Sequence, residues 1–212
     1  DVRATVRMGR ALTVEDFMLP APEGAESVTV RVIGVVENQA PTRALTATLE
    51  VRKGVVQPDR DRDIARIALV ERHRGTGGVV NGFVSGFGWK ARMALASTVA
   101  HDSHHMIVVG TCPRQMAQAA NRLGEVGGGV SLWMDGAEAA LVELPIAGLM
   151  SDRPAAEVAA AAERLGAAMR AAGCTLNNAF MQHSLLALVV IPELRISDLG
   201  LVDVTRFARV PV

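Results

Sequence analysis

Three histidines, an aspartate and a serine fill five consecutive positions: His101, Asp102, Ser103, His104 and His105. Imidazoles and carboxylates exchange protons near neutral pH, and they also ligate Zn, Mn or Fe. Apolar runs at 93–99 and 106–109 flank the five. Polar, titratable groups between strand-like runs must find partners, so such clusters concentrate where proteins bind or react. On a strand, His101, Ser103 and His105 face one side and Asp102 and His104 the other. His101 and His105 are then about 13 Å apart, too far to share one metal. In a turn or bulge they could converge. The plain alternative is a polar strand end whose side chains satisfy backbone groups.

Three other stretches carry chemistry-bearing groups. Glu71-Arg72-His73-Arg74 could bring His73 near the cluster, although a charged strand end or turn accounts for it. His183 lies between Gln182 and Ser184 and could reach a ligand or stand as a partly exposed loop histidine. Residues 148–152 precede a helix start, where anions bind, but capping by Asp152 explains them equally. Several signatures are absent: His-x-Glu with Pro-Cys-x-x-Cys, His-Glu-x-x-His, Gly-x-Ser-x-Gly and the phosphate loop.

The elements that must position these groups follow from periodicity. Residues 28–36, 45–51, 64–70 (with a short helix as the alternative), 79–84, 93–99 and 106–109 read as strands. The glycines of GFVSGFGW (82–89) suggest a bulged strand. A helix opens near Thr111 and Pro113 and stops at Gly127. Asp135-Gly136 between two apolar runs predicts a hairpin. A second, alanine-rich helix runs from Pro154 to Gly173. LLALVVI (185–191) reads as a buried strand, and a tail at 196–204 carries Asp198 and Asp203. The expected fold class is α+β: a mostly antiparallel or mixed sheet with helices packed on one face and no complete barrel. Residues 1–24, with their Pro-Ala-Pro-Glu-Gly stretch, read as a lead-in or linker, and 25–212 as the domain.

Bulk composition excludes several classes. Lys+Arg and Asp+Glu number 22 each among 212 residues, so nothing points to nucleic acid or a membrane surface. Five Phe, two Trp and no Tyr argue against base-stacking platforms. No apolar run approaches the roughly 20 residues of a membrane-spanning helix. Cys112 and Cys174 are expected as free thiols of a cytoplasmic protein. The chain begins at Asp1 without an initiator Met and is expected to be part of something longer.

ASTVAHDSH (96–104) followed by IVVG (107–110) resembles the C-terminal region of bacterial adenine deaminases. VERH (70–73) with GTG (75–77), GFVSGFG (82–88), LPIAGLMSD (144–152), VIPEL (190–194) and GLVDV (200–204) are similar to further family segments and occur in the same order. The family usually has Asn where His105 stands, and a Pro and a Phe are missing near 177–188.

The resemblance implies a hydrolase of the amidohydrolase superfamily that converts adenine to hypoxanthine and ammonia. It implies a preceding barrel domain holding a binuclear Mn or Fe centre, with the main ligands there and none assigned in this chain. His101, Asp102 and His104 are then candidates for catalysis, through contact with substrate or support of the metal ligands. Ser103, His105 and His183 are candidates for substrate binding. The expected partners are adenine, the barrel domain and further copies in a homo-oligomer. The alternatives are a non-catalytic capping or oligomerisation domain and, third, an autonomous metal-binding domain.

Overall fold

The computed structural model describes residues 2–212. Its strands and helices, in chain order, are β1 (Ser27–Gly34), β2 (Arg43–Arg52), β3 (Val55–Val56), β4 (Ile64–Val70), β5 (Val79–Ser85), β6 (Met93–Ser97), β7 (Met106–Gly110), α1 (Pro113–Val126), β8 (Gly129–Met134), β9 (Ala137–Glu143), α2 (Ala155–Ala171), α3 (Ala179–Leu185), β10 (Leu194–Ser197), β11 (Gly200–Asp203) and β12 (Ala208–Val210). Nine strands form one sheet in the order β3-β2-β1-β5-β4-β7-β6-β8-β9, and β10-β11-β12 form a small second sheet. Within the large sheet the β1–β5 pairing is parallel and the others are antiparallel.

Every residue of β4, β6 and β7 is buried. These strands lie at the sheet centre and are covered on both faces. That explains why IARIALV and MIVVG show no polar alternation. On one face Ile67, Leu69, Leu95 and Val109 pack with Leu165 and Met169 of α2 and with Leu186, Ile196 and Leu201. On the other, Ala68, Ala94, Ala96 and Val108 pack under Met116, Ala119, Ala120 and Leu123 of α1. The α+β class is as expected, but the helices divide between the two faces. Both α1 and α2 are amphipathic, and periodicity carries no information about which face each one covers.

Helix α1 begins after Cys112, not Thr111, and ends at Gly127, whose φ of +81° only glycine adopts freely. Asp135 and Gly136 both have positive φ, +50° and +91°, which two-residue hairpins between right-twisted strands require. Residues 82–85 continue β5 without a bulge. The chain then leaves the sheet at Gly86, whose N–H, with that of Gly88, donates to the Asp63 carboxylate at 2.9 and 2.8 Å.

Residues 185–191 do not form a strand. The Asn178 side chain caps α3 by accepting the Met181 N–H at 3.4 Å, and the chain then turns. Leu186 and Ala187 point into the core, while Val189 and Val190 are exposed. A short apolar run fits a strand and a helix-plus-turn equally well by pattern. The expected lead-in packs on the domain. Leu12 and Phe17 are buried against the α1 side of the sheet, and the Leu12 backbone exchanges two hydrogen bonds with Asn121.

Candidate functional site

The histidine stretch is the connection between β6 and β7, at one end of the fully buried strands. The chain leaves β6 at Thr98. Its hydroxyl donates to the Gly148 carbonyl at 2.6 Å and accepts the Gly129 N–H at 2.8 Å. His104 N–H donates to the Ala100 carbonyl at 2.7 Å, and Ala100 N–H donates to His104 Nδ1 at 3.2 Å. His104 takes a φ of +49°, a left-handed conformation in which His is enriched among non-glycine residues. The segment is therefore a closed turn, and its side chains are not split between two faces as on a strand.

Sheet register brings a second segment to it. Val70 pairs with Met106, so Glu71-Arg72-His73 leaves β4 beside His105-His104-Ser103. Arg72, only 2% exposed, donates from Nε to the His104 carbonyl at 2.5 Å and from a terminal nitrogen to the Ala147 carbonyl at 3.1 Å. Gly148 lets this guanidinium pass: its φ is +71°, and a Cβ there would stand 2.9 Å from Arg72. His73 Nε2 lies 2.7 Å from the Ser103 carbonyl, and its ring is tilted against that of His105 with centroids 4.6 Å apart.

Glu71 is the anchor of this exit. Its carboxylate accepts N–H groups of His73, Arg74 and Thr76 and the Thr76 hydroxyl at 2.5 to 3.0 Å. Burial pushes its pKa up. The N–H groups of Thr76, Arg74 and His73 and the Thr76 hydroxyl outweigh this and hold it at about 2.

The candidate residues are placed as follows. Asp102 and Ser103 are exposed, and His101 and His104 are half-buried. His101 and His104 meet edge to face with centroids 5.3 Å apart. The His101 N–H donates to the Ser184 carbonyl of α3 at 3.0 Å. His105 is buried, and its Nε2 lies 3.6 Å from a carboxylate oxygen of Asp198 in the β10–β11 turn. Burial, then the neighbouring His101 and Arg72, lower the pKa of His104. Burial lowers that of His105 against the pull of Asp198. Both imidazoles are thus biased to the neutral form at pH 7, and the hydrogen bond to Nδ1 puts the His104 proton on Nε2.

His183 does not join the turn. Its ring is fully buried, 6.5 Å edge to face from Phe87 and within reach of the Leu95 backbone, but neither ring nitrogen makes a well-formed hydrogen bond. Arg72, His73 and Asp198 are the members that sequence reasoning left at the margin. For His73 the only signal is its place at the end of a strand predicted to be apolar. For Asp198 there is none beyond its charge in the tail.

The arrangement presents imidazole, carboxylate and hydroxyl groups on one hydrogen-bonded turn. It does not fit a binuclear metal centre. His104 Nδ1 is taken by a backbone N–H, His73 Nε2 by a carbonyl, and both Glu71 oxygens by four donors. Among the described residues no three His, Cys, Asp or Glu side chains are grouped to hold a metal.

Comparison with known proteins identifies the family. The family described as adenine deaminase C-terminal domain matches residues 39–208, and the chain belongs to it. The chain is similar to "Adenine deaminase" of Ruegeria sp. (strain TM1040), 70% identical over 99% of this chain and 35% of that protein. "Adenine deaminase 1" of Jannaschia sp. (strain CCS1) is 71% identical over 100% of this chain and 35% of its own length. "Adenine deaminase" of Rubrobacter xylanophilus is 48% identical over 94% of this chain and 33% of its own. The chain thus spans about a third of the length of these curated relatives.

Proposed function

We propose that the chain works as the C-terminal portion of an adenine deaminase, which converts adenine and water to hypoxanthine and ammonia. The observation that carries this reading is identity near 70% along essentially the whole chain to proteins of that name. The metal-bearing barrel of this reading, with Mn or Fe, lies in the other two thirds of such a protein. His104 Nδ1, His73 Nε2 and the Glu71 carboxylate are engaged within this chain and are not counted among the ligands of that metal.

In this reading the histidine turn faces the barrel's mouth. His101, Asp102 and His104 meet the reacting base or its bound water, with His104 Nε2–H as a hydrogen-bond donor. Ser103 contacts substrate, and His105 holds the turn against Asp198. His183 supports Ser184, and so the His101 backbone, from the core. Exposed apolar residues on the segments that touch the turn are in keeping with this orientation. Met150, Met181 and Leu199 are 59, 40 and 66% exposed, and each lies within three residues of a group that touches the turn, Gly148, Ser184 or Asp198. Exposed apolar side chains near a polar site suit docking of another domain.

The reading takes 25–212 as the domain, with residues 2–24 packed along it, from Ala147 and Arg72 past Asn121 of α1 to Gly54 and Val56 at β3. It includes a cytoplasmic, oligomeric enzyme. Among the described residues no helix is long and apolar enough to cross a membrane. Deleting these 212 residues from the full-length protein tests the assignment. Adenine hydrolysis is expected to be lost, whereas retained hydrolysis with an altered assembly state would mark a capping or oligomerisation domain.

A further inference from the structure

Past Val70 and Met106 the backbone ladder between β4 and β7 ends, but its register continues in side chains. Arg72 Nε donates to the His104 carbonyl, and His73 Nε2 lies 2.7 Å from the Ser103 carbonyl. Residues 72 and 73 thus meet 104 and 103 as a longer ladder would pair them. We propose that His73 is a positioning residue of the adenine deaminase reaction: its Nε2–H holds the Ser103 carbonyl and through it sets where the Asp102 carboxylate stands. The inference rests on the reading that the turn faces the substrate.

Asp102 and Ser103 are the exposed tip of the turn. On either side of the tip the turn is well tied. The His101 N–H donates to Ser184, and two hydrogen bonds join Ala100 and His104. At the tip itself there is one tether. Among the described residues, the contact with His73 is the only hydrogen bond that Asp102 or Ser103 makes.

His73 is itself held from two sides. Its backbone N–H donates to the Glu71 carboxylate at 2.5 Å. Its ring lies against that of His105 with centroids 4.6 Å apart, and His105 Nε2 stands 3.6 Å from Asp198. A carbonyl only accepts, so Nε2 of His73 carries a proton in this contact. Because His73 is exposed, deleting the bond strands no buried group and costs little stability. The consequence lies in placement, since a reacting group displaced by about 1 Å can lose on the order of a hundredfold in rate.

The test compares His73→Phe and His73→Gln in the full-length protein by adenine hydrolysis and urea unfolding, and repeats His73→Phe in an Asp102→Ala background. Phe keeps a ring against His105 and deletes the donor. Gln deletes the ring and keeps an N–H near the place of Nε2. His73→Phe should lower kcat/KM about tenfold with an unfolding midpoint near that of the wild type, and His73→Gln should stay within about threefold of wild type. In Asp102→Ala protein, His73→Phe should cost less than about a further twofold, because the group it places is gone. Wild-type turnover in His73→Phe, a His73→Gln protein as impaired as His73→Phe, or losses that multiply in the double variant overturn the positioning role. A tenfold loss in Asp102→Ala beside wild-type turnover in His73→Phe overturns this inference alone. Wild-type turnover in Asp102→Ala overturns the reading of the turn, and the inference with it.

Discussion

The Arg72 side chain and the His104 backbone are joined by a part-buried hydrogen bond of 2.5 Å from Nε to the carbonyl oxygen. The same guanidinium reaches Ala147, so one side chain ties the end of β4 to the histidine turn and to the 144–152 loop. Three segments far apart in sequence meet on this cation.

Arg72→Ala should therefore cost at least about 3 kcal/mol, because two carbonyls lose a charged donor in a buried site. Arg72→Lys should recover less than half of that, since an ammonium lacks the planar fork that serves both oxygens. Urea unfolding midpoints check this; a wild-type midpoint for Arg72→Ala would show that the contact carries no stability.

Glu71 sets an acid limit. Its folded pKa, about 2, lies below its ordinary 4.5, so the carboxylate's contribution is full above pH 4.5 and is lost as the pH falls toward 2. Glu71→Gln should lower stability at pH 7 by about 2 kcal/mol and flatten the decline between pH 4.5 and 2. Thermal melts across that range measure both effects.

His183 acts in a neighbouring window. Its buried imidazole titrates at about 3 rather than the ordinary 6.5, so between these values the unfolded chain takes up a proton that the folded chain refuses. Stability falls as the pH drops through that interval. His183→Leu should remove this slope and be neutral or stabilising by about 1 kcal/mol at pH 7, because it deletes two buried nitrogens that make no well-formed hydrogen bond. Stability measured at pH 7 and pH 4 decides the point.

Much of this arrangement was legible locally. The buried strands at 64–70 and 106–109, the Asp135-Gly136 hairpin and the helix ended by Gly127 each have a short-range cause: apolar run, turn chemistry or cap. The Ala100–His104 turn was legible only as one of two geometries, since alternation cannot distinguish a strand end from a tight connection. The meeting of Glu71-Arg72-His73 with that turn depends on the β4–β7 register, which pairs Val70 with Met106 across 36 positions. No local pattern encodes such a pairing. Asp198 reaches His105 through a second sheet, so its place is equally non-local. At 185–191 a core-facing Leu186 and exposed Val190 share one apolar run, and composition alone misassigned it.

The most direct test is steady-state adenine hydrolysis by the full-length protein with His101→Ala or Asp102→Ala, alongside metal content and circular dichroism. Loss of one hydrogen bond to the reacting base corresponds to about 1.4 kcal/mol, so kcat/KM should fall at least about tenfold with metal content and fold unchanged. Wild-type turnover in both variants would contradict a role for the turn in the reaction.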